Sequence, residues 1–485
     1  MKTMEEDKKV NDKKQILPKG ESAIQDKKMA MPVVIVAAIA SFVTAFSGSA
    51  LNLSIPSIGS EFDVSASSIG WMVTIYALSV AAFSVPWGRI ADITSRRNVM
   101  VIGLGLFALG CLASVMATSF GMLLVMRLMQ GIGASMVFST NTAILISAFP
   151  PNKRGRAIGF NLGGVYVGLS SGPVLGGFLN HQLGWRSIFI FTVAMTVVSL
   201  ILAVVFLPKD TASNKGRKLD VGGNILFIIS IVVLMLGLSQ TTVYGKWSLV
   251  MIAVGVALVI AFIIYENRQK DPALKVSLFK SNIGFGLSNL SAMLNYAATS
   301  ALTYLVSVYL QVIMGYSSQV SGLIMICQPI IMAVLSPQMG KLSDTFSPFT
   351  LSSIGMATSA LGILPFVFIG RDTPVWVVVV SLVVTGLGFS LFSSPNTNAI
   401  MSCVEKADFG VASSLVSTMR TLGQTIGMVI VTMVVSLYMG GSSLAAGSTD
   451  MLVKVINRSF FIFVIICAVG VFLSFQRKAA NKGKA

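Results

Sequence analysis

Two short stretches, Gly88-Arg-Ile-Ala-Asp92 and Gly340-Lys-Leu-Ser-Asp344, place a carboxylate four residues after a glycine, each where an apolar run ends in a turn, the first of them basic. Arg96 and Arg97 follow the first. A carboxylate in that setting can pair with an arginine or cap a helix N-terminus. Asp92 and Asp344 therefore read as latches, with Gly88, Arg96 and Arg97 as parts of the first. Arg127 and Arg420 lie instead inside apolar runs, the latter beside Gly423, Gln424 and Gly427. A cation so placed costs a few kcal/mol to insert and normally faces a cavity or a partner, which marks both as functional. This is ion-pair chemistry rather than covalent catalysis. The chain has no GxxxxGK[ST] phosphate loop and no nucleophile, histidine and acid arranged as a catalytic set, so neither ATP use nor an enzyme is indicated. The one histidine, His181, has no nearby partner for metal or acid–base work, and Cys111, Cys327, Cys403 and Cys467 are too dispersed for a metal cluster or a disulfide framework.

The elements that must hold these residues are membrane helices. Apolar residues make up 54% of the chain and charged residues 11%, with mean hydropathy +0.82, where soluble proteins carry about a quarter charged. Residues 1–28 hold eight lysines and six acids and read as a cytoplasmic tail, not a cleaved signal. Apolar segments follow near 31–55, 69–90, 98–118, 121–149, 157–180 and 187–207, then 221–241 and 247–265, then 283–312, 318–338, 350–370, 374–398, 411–438 and 457–475. That is fourteen spans. With both ends in the cytoplasm, Arg186, Lys246, Arg371, Lys454 and Arg458 are the basic residues left outside, and Arg127 and Arg420 those within the membrane; the rest of the 35 face inward, as cytoplasmic loops require. Basic loops against anionic lipid account for the net charge of +17, and their scatter over short loops excludes a nucleic-acid partner. The repeated glycine–aspartate turn divides the chain into two six-helix halves, 29–207 and 281–476. An inserted two-helix segment, 208–280, lies between them, and 477–485 form a second cytoplasmic tail. Such repeats place a substrate cavity at their interface near mid-membrane.

The fifth span carries Gly164, Gly168, Gly172 and Gly176, every fourth residue, with Ser171 beside them and Pro173 in the same face. Bare backbone on one face lets a neighbouring helix approach closely, and the proline removes a backbone hydrogen bond and bends the helix. Two readings follow: a tight packing seam, or a hinge about which two halves rock. Polar side chains scattered through the spans are candidates for lining the cavity: Asn52, Tyr76, Gln130, Asn141, Asn295, Tyr304, Gln311, Gln328, Asn396, Asn398 and Gln424, with Arg420. About half of them would serve as interhelical hydrogen-bonding groups instead.

At these residues the chain resembles the major facilitator superfamily. Gly88-Arg-Ile-Ala-Asp92 with Arg96 and Arg97 is similar to its loop signature, and Leu124-Val-Met-Arg127-Leu-Met-Gln130-Gly131-Ile-Gly133 to its fourth-helix signature. Gly168-Leu-Ser-Ser-Gly172-Pro173-Val-Leu-Gly176-Gly177 is similar to its fifth-helix antiporter signature. With fourteen spans this resembles the drug:proton antiporter branch, over residues 30 to 476. The resemblance implies an all-α major-facilitator-type fold in a bacterial cytoplasmic membrane. It implies export driven by the proton gradient with no bound cofactor, and a proton-coupling role for Arg127. The chain departs from that branch at Ser47, nine residues before Pro56, where many exporters of cationic drugs carry an acid; no Asp or Glu lies deep within any span. Neutral, zwitterionic or anionic hydrophobic substrates are therefore expected. The expected surroundings are lipid and a small-molecule substrate, with no obligate protein partner. Two rivals remain, an exporter or facilitator of one endogenous metabolite and a receptor or scaffold that has lost transport.

Overall fold

The computed structural model describes residues 27–64, 71–209, 217–239, 245–439 and 449–482. Among them, fourteen helices are long and apolar enough to cross a membrane. The first half contains α1 (Lys27–Ala50), α2 (Trp71–Ile93), α3 (Arg96–Val115), α4 (Phe120–Ala148), α5 (Arg154–Leu183) and α6 (Arg186–Phe206). Next come α7 (Val221–Ser239) and α8 (Lys246–Glu266). The second half contains α9 (Ile283–Ser300), α10 (Cys327–Thr345), α11 (Pro348–Ile363), α12 (Val375–Ser402), α13 (Phe409–Met439) and α14 (Thr449–Lys482). Most of the segment read as an N-terminal tail lies outside the described residues, whereas α14 continues into the segment read as the C-terminal tail.

Neighbouring packing repeats between the halves. In the first, α5 lies along α1; in the second, α13 lies along α9. Between halves, α5 meets α10 and α13 meets α2. These are the contacts of a two-fold repeat, in which each fifth helix packs on the second helix of the opposite half. The inserted pair breaks the symmetry, because α7 lies against α2 and α13 and so covers one of the two inter-half seams from lipid. Its own joint is dry: Phe227 and Phe262 meet edge to face at 5.3 Å, and Gly237 and Gly255 leave no room for a Cβ between the two backbones.

Two spans are interrupted in their outer parts. The helix of α9 breaks at Ala301, resumes at Leu302–Val308 and ends in a π-turn, Tyr309–Ile313. A short helix, Ser318–Met325, precedes α10 with a break at Ile326. Non-helical backbone at membrane depth survives where protein or water satisfies it, and both breaks border the cavity described below. On the outer face, Glu61 in the last turn of the short helix Ile55–Phe62 accepts hydrogen bonds from Arg186 (2.9 Å) and Trp185 Nε1 (2.6 Å). Those donors hold the Glu61 carboxyl below its ordinary range, Arg186 contributing most, and fasten the α1–α2 connection to the start of α6.

Candidate functional site: an outward cavity and a latched cytoplasmic face

Why a glycine must precede each latch carboxylate by four residues is clear at the cytoplasmic face. A Cβ on Gly88 would lie 2.6 Å from the carbonyl oxygen of Gly410, and one on Gly410 would lie 2.6 Å from both Gly88 O and Asp92 Oδ1. Bare backbone on both sides lets the first turn of α13 reach Asp92. Its Oδ1 accepts from the Gly410 amide at 3.0 Å and its Oδ2 from the Val411 amide at 3.1 Å. Asp92 is fully buried and also accepts from Arg96 Nε (2.9 Å) and Nη2 (2.7 Å). Arg96 in turn donates to the Lys406 carbonyl of the opposite half and to Ser147 Oγ. The carboxylate satisfies amide donors that a helix start leaves free, and it sits at the positive end of the helix dipole.

The same construction recurs on the other seam. Asp344 Oδ1 accepts from the Gly155 amide at 2.6 Å and Oδ2 from the Arg156 amide at 3.0 Å, which are the first-turn donors of α5. Gly340 and Gly155 stand so close that a Cβ on either would overlap the other's carbonyl oxygen. Each half thus caps a helix of the other. Phe409, absent from the sequence reading, reinforces the first seam: the guanidinium carbons of Arg96 and Arg154 lie 5.7 and 5.5 Å from its ring centroid. Lys275 in the segment after α8 pairs with Asp408 at 2.6 Å, just before α13. Arg97, read as part of the latch, lies elsewhere. It donates to the carbonyls of Val204 and Leu207 and closes the C-terminal end of α6 within its own half.

Above the latched face the halves enclose a cavity of about 1410 Å³ that opens on the outer side, past Phe178, His181 and Gln182 of α5 and Gln319 and Gly322 before α10. Its floor is aromatic. The Tyr166 hydroxyl donates to Ser393 Oγ at 2.8 Å, the Tyr296 hydroxyl lies 3.4 Å from the same oxygen, and Phe389 meets both rings near perpendicular at 5.9 and 5.2 Å. Among the expected lining residues, Tyr76, Gln311, Gln328, Arg420 and Gln424 border the cavity, as does Pro173. Arg420 is the one Arg, Lys, Asp or Glu among its described lining residues; its guanidinium carbon sits 4.6 Å from the Phe138 ring centroid.

Other expected lining residues pack between helices. Asn141 Nδ2 is shared by Ala37 O, Ser41 Oγ and Asn161 Oδ1, tying α4 to α1 and α5. Asn396 donates to Ser288 O and Asn398 to Ser343 Oγ, joining α12 to α9 and α10. Asn295 is fully buried away from the cavity, and Tyr304 is exposed on the outside of its segment. The side chain of Asn52 falls outside the described residues. Arg127 is buried behind the cavity wall: its guanidinium carbon lies 4.4 Å from the Tyr76 centroid, Nε donates to Met72 O, and Nη1 donates to Gln130 Oε1 at 2.7 Å. Gln130 passes the connection to Ser114 and Gly110 of α3. Arg127 and Gln130 thus brace the wall through Tyr76 rather than line it. Ser47 is buried, with its hydroxyl unpartnered among the described residues.

The fifth-span glycines pack closely against α1. A Cβ on Gly164, Gly168, Gly172 or Gly176 would collide with Ala38, Phe42, Ser49 or Ala50. A second face of α5, formed by Gly155, Gly159 and Gly163, packs on Gly340, Ser336 and Ala333 of α10 in the opposite half. Nothing in the spacing distinguished this face from the first until its partner helix was in place.

Known proteins match most of the chain. The Major Facilitator Superfamily model matches residues 37–280 and 289–485. The riboflavin transporter RibZ of Clostridioides difficile is 28% identical over 92% of this chain and 97% of its own length. The multidrug resistance protein Stp of Mycobacterium tuberculosis is 30% identical over 81% and 73% respectively. The cephamycin export protein CmcT of Amycolatopsis lactamdurans is 28% identical over 83% and 84%. The solved structure of the human organic anion transporter MFSD10 covers 90% of this chain with a TM-score of 0.66 at 15% identity, a likeness of fold. Matched by that model over residues 37–280 and 289–485, with fourteen membrane helices among its described residues, a repeated latch and a central cavity, the chain belongs to the Major Facilitator Superfamily, as a multi-pass transporter of the bacterial cytoplasmic membrane.

Proposed function

We propose that the protein exports small, partly hydrophobic compounds from the cytoplasm by alternating access, in exchange for protons. The observation that carries this reading is the pairing of one large, mainly apolar cavity, open outward, with a cytoplasmic face closed by two reciprocal aspartate latches. Breaking both latches while the outer ends of α5 and α10 converge would turn the same cavity inward. Relatives named for multidrug resistance, cephamycin export and methylenomycin A resistance support efflux. Arg420 in a lining without Asp or Glu favours neutral, zwitterionic or anionic cargo over cations.

A second reading, export or facilitation of one flat metabolite, is supported by the aromatic floor and by the relative named as a riboflavin transporter. Proteoliposomes separate the two. With a pH gradient imposed, uptake of several unrelated antibiotics into inside-out vesicles, saturable and abolished by a protonophore, is the expected result. Saturable riboflavin flux indifferent to the gradient would favour the second reading. Binding of these compounds without flux would contradict both.

A further inference from the structure

We propose that Arg420 is an anion subsite of the cavity, and that it takes compounds pairing a flat aromatic body with one sulfonate or carboxylate. The inference rests on the exporter reading and gives it a substrate class. Arg420 borders the cavity half-buried on α13, and among the described residues it has no hydrogen-bond or ion-pair partner; its guanidinium carbon lies over the Phe138 ring, 4.6 Å from the centroid. A guanidinium over a ring face is attracted to the ring's quadrupole and keeps its N–H donors for bidentate binding of an oxyanion. That attraction also favours one placement of the group before a ligand arrives.

Charge balance points the same way. Arg127, behind Tyr76, is bonded to a backbone carbonyl and an amide rather than to an acid, and both arginines lie within electrostatic reach of the Tyr76 hydroxyl. Two cations therefore flank one wall of an apolar chamber whose described lining contains no carboxylate. Within a membrane such charge is normally compensated, and a bound anion would supply the missing partner. The rings of Tyr76, Phe138, Tyr166, Tyr296 and Phe389 give an aromatic body surfaces on which to stack.

The test compares naphthalene-2-sulfonate with its neutral isostere, naphthalene-2-sulfonamide, by calorimetric binding to the purified full-length protein. The expected result is a preference for the sulfonate of tenfold or more. Arg420→Gln should abolish it by weakening sulfonate binding alone, and Arg420→Lys, which keeps the charge, should retain most of it. Equal loss for both compounds in Arg420→Gln, or no preference in the wild type, would overturn the subsite. Flux of the permanently charged sulfonate in proteoliposomes is scored separately: a sulfonate preference without flux would contradict the exporter reading and leave the subsite standing.

Discussion

Asp92 performs two tasks with one carboxylate. It neutralises Arg96 in a buried site, and it accepts the first-turn amides of a helix from the other half. Replacing it with asparagine keeps the shape and removes the charge. Hydrogen bonds to charged groups contribute about 1.5–3 kcal/mol, so Asp92→Asn should weaken the closed cytoplasmic face by roughly ten- to a hundredfold. With the native cysteines replaced, a reporter cysteine at Ser393, beneath the cavity floor, should then react correspondingly faster with an impermeant maleimide applied from the cytoplasmic side. An unchanged rate would count against the latch. Asp92 and Asp344 were legible in the sequence because the motif occurs twice. Their partners were not: Gly410 and Gly155 are ordinary glycines until the fold brings them across 318 and 189 positions of chain. Arg97 was misplaced for a related reason, since an arginine after a latch looks the same in sequence whether it serves the gate or caps a neighbouring helix. Asn141 and Tyr76 are both polar residues in apolar spans, and only packing decides that one joins helices while the other faces a cavity.

Two glycine-lined faces organise α5. One fits α1 within its own half; the other meets α10 across the interface that parts in the proposed transport cycle. In the second half Gly423 and Gly427 fit α9, and Gly410 meets α2, so the rule of one seam within a half and one across it holds twice. This predicts different outcomes for similar substitutions. Gly340→Ala puts a methyl group against the Gly155 carbonyl on the inter-half seam, and overpacking of that kind costs about 1–3 kcal/mol. It should raise cytoplasmic labelling of the Ser393→Cys reporter. Gly105→Ala on α3, where a Cβ has nothing within 4 Å, should leave labelling unchanged. Equal behaviour of the two variants would mean that close packing at Gly340 does not hold the face shut. All fourteen spans were legible from hydropathy. The breaks at Ala301 and Ile326 were not, because a break that faces a cavity leaves the apolar run intact.

Over the whole molecule, the inserted pair and the Asp92 latch act on the same seam, that of α2 and α13. α7 shields the α2–α13 contact from lipid, and the Lys275–Asp408 pair ties the end of the insertion to the start of α13. Ser47 stands where the resemblance to exporters of cationic drugs led an acid to be expected, and the arginines flanking the cavity have no carboxylate partner among the described residues. The sequence showed this charge pattern, since it counts residues. It did not show which way the cavity opens, since one sequence must serve both the inward and the outward state. The central claim is that the cytoplasmic face opens when its aspartate latches release. The most direct test is a distance distribution between spin labels on Thr94→Cys and Glu405→Cys, two exposed positions on opposite sides of the Asp92 latch, in a background without native cysteines. The account predicts a predominant short distance, and a second, longer population that becomes the major one in Asp92→Asn/Asp344→Asn. A single distribution, identical with and without both aspartates, would contradict it.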